Sequence, residues 1–357
     1  MSDIQELWND SYLRLFYRDV SARRYRRMFE LGWSGGLVIR TRDNRLIFDP
    51  KSPNVPSQDT SVFISHAHAD HFAGLGGKMA KYSTAETRRI FEEVRTKHVV
   101  NFHTVNLKQP VKLGDVEVTP LNAGHMLGST QFLVTLPDTT ILYTGDINCL
   151  DTLTTKEAEE VECDTLVMET TYGEPSYIFP DREETYARII EWALRQVRKR
   201  LVPMFQVYTA GKAQELVRLF NIYTNLDVVT DHKIARINDV YTSSGIKLRQ
   251  REMEKELVND NSVLIISRST KVNALKSARA IATGWALKMN PERTAAFPLS
   301  SHADFGQLVR FVKDCRAKTV YSFTGYTDDF SNHIRKRLGI SSRPLPTLAQ
   351  RTLHHFH

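Results

Sequence analysis

The segment at residues 66–71 constrains this chain more than any other part of its sequence. It reads His-Ala-His-Ala-Asp-His and continues directly from an apolar run at 61–65 that is typical of a buried β-strand. His66 and His68, two residues apart at a strand end, can point to one face. A single buried histidine is usually structural, but three histidines and an aspartate within six residues indicate a metal site. Imidazole and carboxylate ligands without thiolate suit zinc, and also manganese or iron.

Other predicted strands also end in polar residues suited to chemistry. Apolar or alternating runs predict strands at 37–39, 45–48, 116–121, 132–136, 140–143 and 165–168. The polar residues that follow such runs are Asp49, His125, Asp146 and Glu169. A rigid sheet holds the loops beyond its strand ends in place, so these positions favour a site. His302, in a late turn of small residues, is a further candidate. Each would be an ordinary loop residue on its own, and the segment at 66–71 makes it a candidate ligand.

The pattern of apolar residues divides the chain into three parts. Residues 3–31 are predicted to form one or two amphipathic helices, and β-rich runs follow from residue 36. Farther along, helices are predicted at 182–199 and 211–223, and strands at 227–229, 263–266 and 319–323. This alternation predicts a second α/β unit at 176–287. Residues 1–175, with the N-terminal helices, and 288–357 then form the first and last parts of one core.

Charge gives weaker evidence about the substrate. The formal net charge is +7, from 48 lysines and arginines against 41 acidic residues. The basic residues cluster at 23–27, 195–200, 247–255 and 335–337. A polyphosphate substrate would explain this excess, whereas a site built from carboxylates and histidines does not need it. Solvated helix faces would give the same charge, so the excess supports a nucleic-acid partner without establishing one.

Composition excludes several other classes of protein. No apolar run reaches the roughly 18–20 residues that span a bilayer, and residues 1–8 carry no hydrophobic signal core. We therefore expect a cytoplasmic protein with no membrane partner. The three cysteines, Cys149, Cys163 and Cys315, are far apart and form no CxxC pair. This spacing argues against a disulfide framework and against a thiolate zinc site, and it favours cysteines as small buried residues.

The order of these residues resembles the metallo-β-lactamase superfamily. Asp49, the segment at 66–71, His125 and Asp146 resemble its motifs one to four, in this order. Glu169, in Met-Glu-Thr-Thr-Tyr-Gly at 168–173, resembles motif A of the β-CASP nuclease branch, and His302 resembles motif C. The match runs from about 36 to 352. The resemblance implies an α/β fold, a metallo-β-lactamase αββα sandwich with an inserted α/β β-CASP domain.

The resemblance also implies a ligand set for two divalent metal ions, zinc with manganese as the alternative. One ion would be held by His66, His68 and His125, and the other by Asp70, His71 and His302, with Asp146 bridging. Asp49 and Glu169 would be carboxylates that orient metal-bound histidines. Asp70, Asp146, Asp49 and Glu169 are accordingly the expected catalytic carboxylates. The implied reaction is hydrolysis of a phosphodiester bond.

Two departures from the family motifs and three similar segments indicate which nuclease branch the chain resembles most. The stretch at 282–288 lacks the motif B histidine of the RNA-processing members, and the stretch at 323–326 lacks the late histidine common in the superfamily. Residues 211–215, 284–286 and 346–348 resemble short prokaryotic DNA exonucleases associated with DNA ligases. A histidine at motif C, however, is the state of the RNA branch. We expect a single-strand DNA exonuclease acting from the 5′ side in repair, with an RNA nuclease as the alternative.

Basic residues of the insert are the candidate substrate contacts. Lys212, Arg218, Arg249 and Arg251 are predicted to bind backbone phosphates, although for Lys212 a solvated side chain is the slightly favoured interpretation. A DNA ligase or a helicase is a possible repair partner, and the oligomeric state is left open. Two other classes compete with a nuclease. A small-molecule hydrolase of this fold would need no basic insert, and an inactive nucleic-acid-binding protein would not need every metal ligand.

Overall fold

The computed structural model describes residues 29–55, 60–253, 258–272, 276–290 and 294–348. The first sheet has six strands in chain order, β1 Glu30–Trp33, β2 Leu37–Arg40, β3 Arg45–Phe48, β4 Thr60–Phe63, β5 Ala80–Ser83 and β6 Phe102–Thr104. Strands β1 to β3 are antiparallel, and β3 to β6 are parallel. Helix α1, Ala85–Arg95, follows β5 and begins at Thr84, whose side chain accepts from the backbone N–H of Thr87.

The second sheet has seven strands, β7 Val111–Leu113, β8 Val116–Asn122, β9 Thr130–Leu136, β10 Thr139–Tyr143, β11 Thr165–Thr170, β18 Thr319–Gly325 and β19 Ser341–Pro344. Their spatial order is β19-β18-β11-β10-β9-β8-β7. Strands β7 to β10 form an antiparallel meander, and β10, β11, β18 and β19 are parallel. Helices α5, Phe305–Asp314, and α6, Thr327–Leu338, accompany this sheet.

The two sheets pack face to face, with helices outside. Along β3, Leu46 and Phe48 point into the cluster shared with the second sheet, where Phe48 contacts Phe132 and Tyr143 at ring distances of 5.5 and 5.4 Å. Ile47, between them, points to the opposite face, as the two-residue period of a strand requires. The outer face of the second sheet packs on α5 and α6. The predicted α/β sandwich of four layers is confirmed.

A third sheet lies between β11 and β18 in the sequence. Its strands are β12 Val202–Val207, β13 Asp227–Thr230, β14 Arg251–Glu252, β15 Ser262–Ser267, β16 Ser277–Ala282 and β17 Ala295–Phe297, all parallel, in the order β14-β13-β15-β12-β16-β17. Its helices are α2 Arg182–Arg198, α3 Lys212–Tyr223 and α4 His232–Ser243. Because β17 pairs with β16, this sheet continues past residue 287, where the sequence placed the end of the insert.

The N-terminal region corrects one expectation. Residues 29–31 were included in a predicted amphipathic helix, but Glu30–Trp33 form an antiparallel strand on β2. Trp33 also accepts from the backbone N–H of Leu348 and donates to the carbonyl of Pro346. These long-range backbone bonds override a helical pattern that local sequence alone suggested. The rest of that prediction, residues 3–28, lies outside the described residues. No helix in the described part of the chain is long and apolar enough to cross a membrane.

Candidate metal centre

Three histidines converge where strands of the two facing sheets end. His66 Nε2 lies 3.1 Å from His68 Nδ1, and His125 Nε2 lies 3.0 Å from the same atom. His66 and His68 follow β4, and His125 lies in the turn between β8 and β9. The Asp146 carboxylate, after β10, completes a group whose potential ligand atoms all lie within 4.8 Å of one another. The structure therefore assembles four residues that the sequence proposed as ligands.

Hydrogen bonds to the outer nitrogens determine which ring atoms are unprotonated. The hydroxyl of Ser65 donates to Asp49, so it accepts from Nδ1–H of His66 at 3.0 Å. His68 Nε2–H donates to the carbonyl of Ala210 at 3.2 Å, and His125 Nδ1–H donates to the carbonyl of Ser301 at 2.8 Å. The second nitrogen of each ring, which faces the cluster, then carries a lone pair.

This arrangement fits a bound cation. The unprotonated nitrogens of His66 and His125 lie 3.1 and 3.0 Å from that of His68, and lone pairs this close repel one another unless a cation lies between them. Burial lowers the pKa of His68 to about 4 and, together with the other histidines, lowers the pKa of His66 and His125 well below the usual value. Neutral imidazoles are the form that binds a divalent metal.

Asp146 connects this group to a second set of candidate ligands. Its Oδ2 lies 3.4 Å from His66 Nε2 and 3.8 Å from His125 Nε2, whereas its Oδ1 lies 3.5 Å from His71 Nε2. The Oδ2 of Asp70 also lies 3.5 Å from His71 Nε2. Burial raises the pKa of Asp146 to about 6. One carboxylate thus turns an oxygen toward each set, which is the placement that a bridging ligand needs.

The carboxylate of Asp49 forms hydrogen bonds with several residues around the first histidine segment. Its carboxylate accepts four hydrogen bonds, from Ser65 N at 2.7 Å, Ser65 Oγ at 2.5 Å, His71 Nδ1 at 2.8 Å and Tyr143 Oη at 2.9 Å. Asp49 has a positive φ of 47°, which turns the chain sharply at the end of β3. Although burial opposes it, the carboxylates of Asp146 and Asp49 raise the pKa of His71 well above its usual value. Asp49 therefore orients His71, as a residue behind the ligands would.

Glu169 has the same relation to His302. The carboxylate accepts from Nδ1 of His302 at 2.9 Å and from the backbone N–H of Ile147 at 2.8 Å. Asp146, Glu169 and His302 offer atoms that lie within 4.8 Å of one another. Burial alone would lower the pKa of His302, but the Glu169 carboxylate outweighs burial and raises this pKa to about 9. The His302 ring lies 4.5 Å from that of His125, so the structure brings the late histidine to the same centre.

A cavity of about 500 Å³ opens above this centre. Its walls come from the sandwich, through residues such as Asp70 and Thr171, and from the insert, through residues such as Tyr208 and Lys212. Lys212, the first residue of α3, is almost buried and lies 3.1 Å from Glu215. Burial lowers the pKa of Lys212 to about 8, against the opposing effect of Glu215. Among the described residues that line the cavity, Lys212 is the only lysine or arginine.

The three predicted arginine contacts are not brought to the cavity. Arg218 donates to the carbonyl of Lys247 and Arg249 to that of Asn221, each at 2.8 Å, while Arg251 lies 3.4 Å from Asp227. None of these arginines lines the cavity. Arg218 follows Lys212 by six positions in α3 and is therefore displaced by about 9 Å along the helix axis. Arg249 is held near the end of α3 through Asn221, and Arg251 is held beside β13 through Asp227. Their role in substrate binding stays a prediction.

Several residues that position the site could not be found from sequence. Ser65, Tyr143 and the backbone carbonyls of Ala210 and Ser301 hold ligands in place, but only the fold brings them there. Ser65 was visible as the residue before the histidine segment, yet nothing local indicated that it would accept from a ring nitrogen. The carbonyl of Ala210 shows that the insert itself contacts the metal centre.

Comparisons with known proteins agree with this fold. Residues 32–204 match the family described as the Beta-lactamase superfamily domain. This match covers just under half of the chain and includes His66, His68, His125 and Asp146, so this part of the chain is similar to the β-lactamase superfamily. A crystal structure of a protein of unknown function from Enterococcus faecalis superposes with a TM-score of 0.60 at 15% identity, covering 85% of this chain and 94% of that one. At this identity the likeness shows the fold alone.

Two curated relatives are more similar in sequence. A protein named Probable DNA ligase from Opitutus terrae is 30% identical over 287 residues, which cover 77% of this chain and 28% of the ligase. The Probable RNase MJ4 of Methanocaldococcus jannaschii is 33% identical over 279 residues, which cover 65% of this chain and 64% of that protein. The chain thus spans just over a quarter of the first of these proteins and somewhat less than two thirds of the second. Both similarities are consistent with the β-CASP nuclease branch.

Proposed function

We propose that this protein is a metal-dependent nuclease that hydrolyses phosphodiester bonds, with single-stranded DNA as its preferred substrate. The observation that carries the proposal is the geometry of Asp146, whose two oxygens face two different histidine sets at the floor of an open cavity. A centre of this kind suits two divalent ions that act together on one phosphate. The names of the relatives, a ligase and an RNase, both describe enzymes of nucleic acids.

Each residue of the centre has a proposed role in this reaction. His66, His68, His125 and Asp146 would hold one ion, and Asp70, His71, His302 and Asp146 the other, zinc with manganese as the alternative. Bound ions of this kind neutralise charge on the attacked phosphate and lower the pKa of water to near neutrality. Asp49 and Glu169 keep His71 and His302 in their ring orientations, so that little reorganisation is needed during the reaction.

Lys212 would bind a phosphate oxygen of the strand. It is the cation of the cavity wall, and it begins a helix whose N-terminal N–H groups also favour an anion. Glu215 holds the ammonium at 3.1 Å and therefore limits how far it can move. Arg218, Arg249 and Arg251 would contact the strand only farther along, outside the cavity. Binding through phosphates alone is blind to base sequence and weakens as salt rises.

The choice of DNA over RNA rests on sequence similarity. The segment at 282–288 carries no histidine, and the ligase relative suggests a repair context in which a DNA ligase or helicase is a partner. The RNase relative, which is 33% identical, supports the alternative of an RNA nuclease. A cytoplasmic location fits either substrate.

Matched oligonucleotides test the proposal. Single strands of DNA and RNA, each labelled at the 5′ or the 3′ end and carrying a 5′-phosphate or 5′-hydroxyl, are digested in zinc and in manganese at one salt concentration. Release of products in order from the 5′ end of DNA, faster than from RNA, is the expected result. Faster cleavage of RNA in both metals would replace DNA by RNA as the substrate. Hydrolysis of neither would reject the nuclease.

A further inference from the structure

Two large aromatic side chains remain exposed on the insert side of the cavity. Trp285 is 42% exposed and Tyr208 is 59% exposed, and both line the cavity that leads to the metal centre. Trp285 belongs to the 3-10 turn Gly284–Lys288, and Tyr208 follows β12. Isolated exposed aromatic residues are common on protein surfaces, but two on the wall of one catalytic cavity call for a ligand with a flat apolar face.

The surroundings of Trp285 fix its position. Its ring lies 4.8 Å from that of Tyr172 and 5.5 Å from that of Tyr177. Gly284 permits this packing, because a Cβ there would lie 2.5 Å from the Tyr172 ring. The ammonium of Lys288 lies 4.2 Å from the centre of the Tyr177 ring. The indole of Trp285 is thus held by neighbouring rings and stays accessible from the cavity.

Tyr208 is fixed in a different way and lies nearer the metal ligands. The guanidinium of Arg268 lies 4.2 Å from the centre of the Tyr208 ring and donates to its hydroxyl at 3.2 Å. The ring of Tyr208 lies 6.2 Å from that of His68. Tyr208 is therefore an exposed ring of the cavity wall with a cation against its face, whereas Lys288 lies over Tyr177 and pairs with Glu174. Supported rings beside cations are what single-stranded nucleic acids bind, because bases stack while phosphates follow the charges.

We propose that Trp285 and Tyr208 form a stacking subsite for unpaired nucleobases of the substrate strand, next to the phosphate that is cleaved. This inference rests on the proposed nuclease function and adds the reason for a single-strand preference. A paired base inside a duplex has both faces covered and cannot reach these rings. Stacking uses the π-face that every base has, so the subsite accepts any base sequence and does not distinguish DNA from RNA.

Binding without metal tests the subsite apart from catalysis. The affinity of the full chain for a fluorescent single-stranded oligothymidylate is measured by anisotropy in EDTA. Trp285→Ala and Tyr208→Ala should each weaken binding by about tenfold, whereas Trp285→Phe and Tyr208→Phe should stay near wild type. Tyr223→Ala is the matched control, because Tyr223 is 50% exposed but does not line the cavity.

A second ligand tests the subsite with wild-type protein, so the result does not depend on whether Trp285→Ala folds. An oligonucleotide of abasic sugar-phosphate units has the same charge but no base, and wild-type protein should bind it about a hundredfold more weakly, because stacking on both rings is lost. Equal affinity of wild-type protein for the two strands would overturn the subsite. Failure of the nuclease proposal would give a different result. No phosphodiester, including bis(p-nitrophenyl) phosphate, would then be hydrolysed in zinc or manganese, whatever affinity the binding assays measure.

Discussion

Arg182 is bonded to the loop that carries His302. Its Nη2 donates to the backbone carbonyl of Ser300 at 2.8 Å, and the same group donates to the Glu215 carboxylate at 2.8 Å. Arg182 begins α2 and Glu215 lies in α3, so two helices of the insert are joined to a ligand loop of the sandwich. Tyr186 also donates to Glu215. The insert therefore helps to set the position of His302 through a buried charged network.

Removing Arg182 should destabilise the protein strongly. Arg182→Met leaves Glu215 with less compensation in a buried position, and we expect the free energy of unfolding to fall by about 3–5 kcal/mol. Chemical denaturation measures the change. Arg195→Met is the control, because the Arg195–Glu191 pair is exposed. A loss for Arg182→Met no larger than that of the control would show that the buried network contributes little.

The same network predicts a dependence of stability on pH. Burial alone would raise the pKa of Glu215, but the positive charges of Arg182 and Lys212 outweigh burial and lower this pKa from 4.5 to about 2. A carboxylate with a lower pKa in the folded protein stabilises the fold above the unfolded pKa, and this contribution disappears as pH falls toward the folded pKa. The difference in free energy of unfolding between wild type and Glu215→Gln should therefore shrink as pH decreases from 5 toward 2. A constant difference across this range would contradict the lowered pKa.

Asp146 and His68 should be essential for cleavage but not for binding. Asp146→Ala and His68→Ala remove groups that belong to the candidate ligand cluster, and they leave Lys212, Trp285 and Tyr208 of the cavity wall in place. We expect cleavage to fall by on the order of 10⁴-fold. Affinity for a single strand in EDTA should stay close to that of wild type. Substantial residual cleavage by either variant would remove that residue from the ligand set.

His302→Ala should affect one metal position more than the other. His302 contacts Glu169 and belongs to the second group of candidate ligands, whereas the three converging histidines do not include it. Metal analysis after dialysis should find about two ions per wild-type chain and about one in the variant. His98→Ala, which changes an exposed histidine outside the centre, should retain both ions. An unchanged metal content in His302→Ala would place this residue outside the ligand set.

Tyr143 is expected to act through Asp49. Tyr143→Phe removes one of the four hydrogen bonds that Asp49 accepts, and this should destabilise the protein by about 1.5–3 kcal/mol, since the acceptor is charged. Metal affinity, measured by competition with a chelator, should fall as well. Tyr241→Phe is the control, because the Tyr241 hydroxyl contacts the backbone of Leu127 and not a carboxylate. If both variants bind metal equally well, Tyr143 has only a structural role.

Within the described residues, local patterns predicted just over half of the strands and two of the helices closely. The apolar run at 263–266 is the centre of β15, Ser262–Ser267, and the amphipathic pattern at 182–199 ends within one residue of α2, Arg182–Arg198. Such elements depend on periodicity that a short window contains. The strand Glu30–Trp33 was missed, because its backbone bonds reach Pro346 and Leu348 at the other end of the described chain.

The residues of the candidate site also differ in whether the sequence alone could place them. The histidine segment could be read directly, since its ligands are adjacent in sequence. The arginines of the insert could not be placed, because a net charge does not state which face a side chain occupies. Arg218 and Arg249 bond to nearby backbone carbonyls, whereas Lys212, for which the sequence slightly favoured a solvated side chain, lines the cavity. Trp285 was noted only as part of a similar segment, and its position beside Tyr172 required the fold.

The order of the ligands along the chain has a consequence for biosynthesis. The three converging histidines and Asp146 all precede β11, but His302 lies 133 residues after its partner Glu169. At a translation rate of about 5–20 residues per second, this separation corresponds to on the order of ten seconds. During that interval the ribosome-bound chain already contains every donor of one metal position and lacks a donor of the other. In the proposed ligand set, all donors to the first ion are therefore synthesised before the insert, whereas the carbonyls of Ala210 and Ser301 that orient His68 and His125, and His302 itself, are synthesised later.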